Sequence, residues 1–207
     1  LVALLGISMC VFAVPAFADC PEFLGSVDTP GYATAVAVAG LYAYVADDYA
    51  GLRVVDVSNP AAPFEVGSYD TPGIVFGVAV AGFYAYLADG GVGYLRVVNV
   101  STPEMPFEVG SCGTVGDPLD IALSGSYAYV ADWAGGLLVV DVSNPTAPFE
   151  AGSYDTPGST WGVAVAGSYA YVADGGVGLE VLTSCEGLPF EDGFESGDTA
   201  AWSATVP

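Results

Sequence analysis

With no histidine, no lysine and only Arg53 and Arg96 as cations, this 207-residue chain leaves carboxylates, aromatic rings and four cysteines to do any chemistry. A serine, threonine or cysteine nucleophile has no imidazole or amine here to activate it. A tetrahedral zinc site is out of reach as well, because the few cysteines have no histidine to complete the set. Acids by themselves can hold a hard cation such as Ca²⁺ through oxygen, or act in pairs on a glycosidic bond.

The acids fall into two groups. Asp47, Asp89, Asp132 and Asp174 each follow Tyr-Ala-Tyr-(Val/Leu)-Ala and stand beside a Gly-rich turn, where a carboxylate caps backbone N–H groups. Asp56, Asn99 and Asp141 also recur, ahead of a Ser-Asn-Pro or similar turn, and turn capping explains them too. Asp48, Asp117 and Asp120 do not recur, and neither do Trp133 and Trp161. A symmetric scaffold does not require such residues, so they are candidates for function. With Tyr49 and Phe76 they form the expected ligand rim, and Asp48, Asp117 and Asp120 are its candidate calcium ligands. No residue is assigned a catalytic role.

The elements that must position these residues come from an internal repeat. The Tyr-Ala-Tyr motif starts at Tyr42, Tyr84, Tyr127 and Tyr169, a spacing of 42 or 43 residues. Each period contains four short apolar runs separated by Gly, Pro, Asn or Asp, which suits one four-stranded propeller blade. In the first copy these runs are 36–39, 42–47, 52–57 and 64–70, with Gly40 placed where a tight hairpin needs positive φ. Apolar residues on both faces of the strands, as in Leu52, Val54, Val55 and Val57, imply sheets covered on both sides. Ala35, Ala37 and Ala39 suit the crowded strand nearest an axis. Strand direction then gathers the loops bearing Asp48, Tyr49, Phe76, Asp117, Asp120, Trp133 and Trp161 on one rim.

The expected fold is an all-β propeller of four blades, each of four antiparallel strands. Glu22–Asp28 reads as a lone fourth strand and the last copy as three strands, so the N-terminal strand is expected to close the ring beside 179–183. Cys20 and Cys185 flank that closure where a loop is missing, which predicts a disulfide between them. Such a bond would close a loop of roughly 165 residues and stabilise by roughly 4–5 kcal/mol in the chain-entropy account. Cys112 takes a place held by Tyr69 and Tyr154 and reads as an inert thiol.

Residues 1–18 are uncharged and end in Ala16-Phe17-Ala18, the pattern of a secretory signal peptide cut before Asp19. The sequence thus divides into a signal at 1–18, repeats at about 25–66, 67–109, 110–151 and 152–185 within 19–185, and an acidic flexible tail at 186–207. A secreted or cell-surface location follows, with the periplasm as the alternative and no membrane span after signal removal. The net charge of −22 provides no basic footprint for nucleic acid or anionic lipid.

Leu52-Arg53-Val54-Val55-Asp56, Leu95-Arg96-Val97-Val98-Asn99 and Leu137-Leu138-Val139-Val140-Asp141 resemble the core of the LVIVD repeat family. Asp56-Val57-Ser58-Asn59-Pro60 and Gly67-Ser68-Tyr69-Asp70-Thr71-Pro72-Gly73 are similar to its flanking segments, and the resemblance spans residues 22–183. It implies a bacterial or archaeal surface or secreted propeller, mostly without an assigned activity, and carries over no catalytic residue. The functional expectation is a non-catalytic binding propeller whose acidic, aromatic rim takes a protein, a glycan or a cation. A carboxylate-dependent glycoside-active enzyme and a purely structural surface repeat are the alternatives.

Overall fold

The computed structural model describes residues 21–185; the expected signal peptide, Cys20 and the tail at 186–207 lie outside them. The strands are β1 Ala35–Ala39, β2 Tyr42–Ala46, β3 Leu52–Asp56, β4 Phe64–Tyr69, β5 Ile74–Ala81, β6 Tyr84–Gly90, β7 Tyr94–Asn99 and β8 Phe107–Gly113. They continue as β9 Asp120–Ser124, β10 Tyr127–Ala131, β11 Leu137–Asp141, β12 Phe149–Tyr154, β13 Thr160–Ala166, β14 Tyr169–Asp174 and β15 Gly178–Thr183. Each repeat folds as its own antiparallel meander: β1–β4, β5–β8, β9–β12 and β13–β15. The first turn of every blade has its glycine at positive φ, from 50° to 61° at Gly40, Gly82, Gly125 and Gly167. Nothing crowds Gly40, Gly82 or Gly167, so it is the left-handed backbone that requires glycine there.

The blades stack face to face in chain order, and each joint has its own apolar core. Tyr44, Leu52 and Val54 of blade 1 meet Val78, Leu87 and Val98 of blade 2. Tyr86, Leu95 and Val97 then meet Ile121, Val130 and Val140, and Tyr129, Leu137 and Val139 meet Val163 and Val172. Each such side chain, fully buried, contributes about 1.5–3 kcal/mol, so the joints rather than the single sheets hold the molecule together. The small first strands β1, β5, β9 and β13 pack on one another along the inside of the stack.

Ring closure differs from the sequence expectation. Residues 22–28 form no strand, and among the described residues the sheet of blade 4 has three strands. Gly25 instead lies against Pro60 and Ala61 of blade 1. Val36 and Val38 of β1 remain exposed, and so do Leu179 and Val181 of β15. The three joints bury their apolar faces, whereas the outer faces of blades 1 and 4 do not. Among the described residues no disulfide forms: Cys112 and Cys185 are both half-buried and free, and the partner expected for Cys185 lies outside them.

Candidate functional site

The four repeated carboxylates are buried inside the blades; Asp47, Asp132 and Asp174 cap backbone, as their sequence context suggests, whereas Asp89 pairs with Arg96 instead. Asp47 accepts from the Gly31 amide at 2.8 Å and the Thr29 hydroxyl at 2.6 Å. Asp132 takes the amides of Val115 and Gly116, and Asp174 those of Gly158 and Gly176. Each thereby pins the loop that enters its own blade. Burial pushes the Asp132 carboxyl above its ordinary value, outweighing the amides of Gly116 and Val115. At Asp174 burial also raises the value, but the combined pull of Gly176, Gly158, Thr156 and Val177 wins and lowers it. On the opposite rim Asp56 takes the Ser58 amide at 2.8 Å, Asn99 that of Ser101 at 2.9 Å and Asp141 that of Ser143 at 2.8 Å. The Ser58 hydrogen bonds hold the Asp56 carboxyl below its usual range.

Both arginines serve the blades as well. Arg53 reaches Asp70 at 3.2 Å, Glu65 at 3.6 Å and Asp47 at 3.8 Å. Arg96 donates to Asp89 and to Glu108, the latter at 3.0 Å, and stacks over the Tyr94 ring. Tyr69 of the preceding blade donates to the same Glu108 oxygen at 2.6 Å, so the network crosses a joint.

The non-repeating residues separate into two sets. Phe76, Asp117, Trp133 and Trp161 come together around one cleft of about 490 Å³, completed by Ile74, Gly91 and Leu119. Its lining is mainly apolar, and Asp117 is its one carboxylate. Tyr49 and Asp48 lie on blade 1 outside this lining. Asp120 is outside this lining too: its carboxylate takes the Ile121 amide at 2.9 Å and the Val163 amide at 3.0 Å, which ties β9 to β13. Asp117 accepts from the Gly91 amide at 2.9 Å. Among the described residues no group of three His, Cys, Asp or Glu side chains is placed to hold a metal ion. Of the three candidate calcium ligands, Asp117 is bonded to backbone of blade 2 and Asp120 to backbone of blades 3 and 4.

Local sequence explains how the cleft is built. Phe76 and Trp161 sit at shifts of register in the β5–β6 and β13–β14 pairs, where an unpaired residue bends the strand and re-aims its side chain. Leu119 holds the same repeat position in blade 3, so three consecutive blades each contribute this residue to one cavity. The residue after the repeated Asp decides what covers it. In blades 2 and 4 it is Gly90 or Gly175, and a Cβ there would come within 2.7 Å of the Phe76 ring or 2.8 Å of the Trp161 indole nitrogen. In blades 1 and 3 it is Asp48 or Trp133, each at positive φ, 54° and 39°. The carbonyls of those two residues accept the amides of Val75 and Thr160 in the next blade. A tryptophan held left-handed stores roughly 1–3 kcal/mol of strain, a cost that recurs at binding sites. Sequence reading missed Leu119 and Ile74. Aligning the position that precedes Ala35, Gly77, Asp120 and Gly162 finds Leu119, whereas nothing local marks Ile74.

Blades of antiparallel strands joined face to face, with small first strands inside, define a repeat β-propeller scaffold. Solved structures agree on the fold. The computationally designed Ika4 protein matches with a TM-score of 0.61 at 10% identity, over 79% of this chain and 98% of that one. The computationally designed Ika8 protein matches with the same TM-score and identity over 73% of this chain, which spans 45% of that chain. LVIVD repeats are matched at residues 30–71, 72–114, 115–156 and 157–182, one for each blade. The chain belongs to the LVIVD repeat family. No curated protein matches it in sequence.

Proposed function

We propose that this protein is a non-catalytic binding scaffold of the cell exterior, whose cleft takes an apolar group carried by a neutral or basic protein partner. The observation that carries this reading is Trp133, a large ring kept at positive φ and part-exposed on a mainly apolar cleft. A blade position that glycine would fill without strain retains a tryptophan there, which is economical only if the ring contacts something outside the fold. The net charge of −22 favours a basic partner and speeds its approach at low salt. Export is supported by the uncharged opening segment and by the surface and secreted association of the family.

A glycan stacked on the two tryptophans is the second reading, favoured by their exposure of 42% and 60%. The glycoside-active reading lacks a carboxylate pair in this cleft, where Asp117 stands alone.

Tryptophan emission titrated with short peptides rich in arginine and aromatic residues, and with a panel of oligosaccharides, tests the proposal. The peptides are expected to shift the emission of the native protein, and Trp133→Gly is expected to abolish that shift while keeping the far-UV spectrum. A response to oligosaccharides alone selects the glycan reading. Release of sugar product with a bell-shaped pH–rate profile would restore the enzyme.

A further inference from the structure

Every joint in this molecule is made from the same two half-faces. The forward half carries a leucine and a valine of the third strand, and the backward half carries an apolar residue of the first strand. In the three internal joints Leu52, Leu95 and Leu137 are at most 3% exposed, and Val54, Val97 and Val139 at most 7%. Val78, Ile121 and Val163 opposite them are at most 8% exposed. At the ends of the arc the halves are unmatched. Leu179 and Val181 on blade 4 are 67% and 52% exposed, and Val36 on blade 1 is 63% exposed. The molecule thus presents a free forward half and a free backward half of one and the same joint.

The strand pairing is unmatched in the same sense. Among the described residues β15 has no fourth strand beside it. Gly25 meanwhile packs on Pro60 and Ala61 as Gly67 packs on Pro103 and Glu104, and as Gly110 packs on Pro145 and Thr146. Gly67 and Gly110 belong to fourth strands of the preceding blade. The chain around Gly25 therefore lies where the fourth strand of a blade before blade 1 would lie, with no sheet to join.

We propose that a second copy of this chain supplies what each end lacks. Two arcs close head to tail about a two-fold axis, with Leu179 and Val181 of one on Val36 of the other. Residues 22–28 of each copy then complete the blade 4 sheet of its partner. A second copy is the occupant the surface specifies, because each end lacks the face that the other end presents. The new joints continue the internal ones, and closure covers the open sheet edge. The arc also overlies slightly less than half of a longer designed chain, so its curvature is compatible with continuation. Association opposes two like-charged chains across an apolar contact, so added salt tightens it.

Sedimentation equilibrium of the full secreted chain, kept reduced so that only non-covalent association is read, tests this at micromolar concentration. The expected mass is twice that of one chain, with a dissociation constant that falls on going from low to moderate salt. Val36→Glu alone and Leu179→Lys alone are expected to give single chains with an unchanged far-UV spectrum. The double variant carries both charges at positions equivalent to Val78 and Leu52, which share one core, and is expected to restore the pair. A single-chain mass for the native protein overturns the proposal. So does open-ended growth with concentration, or a two-chain species that neither substitution weakens.

Discussion

Asp132 and Asp174 occupy the same repeat position, yet their environments push their ionisation in opposite directions. Both hydrogen bonds to Asp132 go to Oδ2, and Oδ1 is buried without a partner, so the charge gains little for its desolvation. Asp174 receives amides on both oxygens. A carboxyl raised by folding disfavours the native state above its folded value, and that cost fades as pH falls through it. A carboxyl lowered by folding stabilises above its unfolded value, and that stability is lost as pH falls through the folded one. Asp132→Asn, which keeps one acceptor and removes the charge, should hold or raise the melting temperature at pH 7. Asp174→Asn should lower it, because an NH₂ would then face an amide, and its deficit should shrink in acid. Calorimetry of the two variants between pH 3 and pH 7 checks both signs. Trp133→Gly belongs to the same scale: relief of left-handed strain should keep the thermal midpoint unchanged or raise it by roughly 1 kcal/mol equivalent.

The third strand of each blade carries a position that reads Arg53, Arg96, Leu138 and Glu180 in turn, and its consequences are set by the sheet around it. In blade 2 the arginine holds buried Asp89 and half-buried Glu108, while Tyr69 from blade 1 donates to the latter. Burial, then the Glu108 hydrogen bond, pushes the Tyr69 hydroxyl up to about 12, so it remains a donor over the working pH range. Arg96→Met should destabilise by about 3 kcal/mol, the usual cost of stranding one partner of a buried pair. Adding Asp89→Asn should recover part of that loss, as urea denaturation of both variants would show. In blade 4 Glu180 occupies the arginine position, and its Oε2 is buried with no hydrogen bond. Glu180→Arg restores the repeat and is expected to stabilise by about 0.5–2 kcal/mol, seen as a higher denaturation midpoint. Gly175→Ala tests the cleft itself: its Cβ displaces the Trp161 ring, so tryptophan emission should shift red with little change in stability.

At the scale of the whole molecule, the two ends of the stack carry complementary unmatched faces. In a ring of two copies the Cys20–Cys185 bond expected from sequence joins different chains, because residues 22–28 of one would lie beside β15 of the other. Non-reducing electrophoresis of the secreted protein should then show a two-chain species that reduction converts to one chain. A disulfide confined to a single chain, found by intact mass, would place closure within one copy. Cys112 should remain a thiol in either case, since burial and the neighbouring Glu150 charge raise its value above the ordinary one.

The amino-acid sequence alone determined the period, the strand order, the glycine turns, the capping role of Asp47, Asp132 and Asp174, and the Asx turns at Asp56, Asn99 and Asp141. Those features depend on residues close along the chain, or on a pattern that repeats with it. Departures from a repeat stand out against it, and four of the seven residues singled out for the rim, Phe76, Asp117, Trp133 and Trp161, line one cleft. Only the tertiary structure decided that Asp120 ties two blades together, that Leu119 and Ile74 complete the cleft, and that Trp133 is left-handed. It alone decided that residues 22–28 form no strand and that the blade 4 sheet has three strands among the described residues. A strand count can come out whole on paper, but whether a strand pairs depends on the surface it meets, built by residues far away along the chain, and no local pattern encodes that.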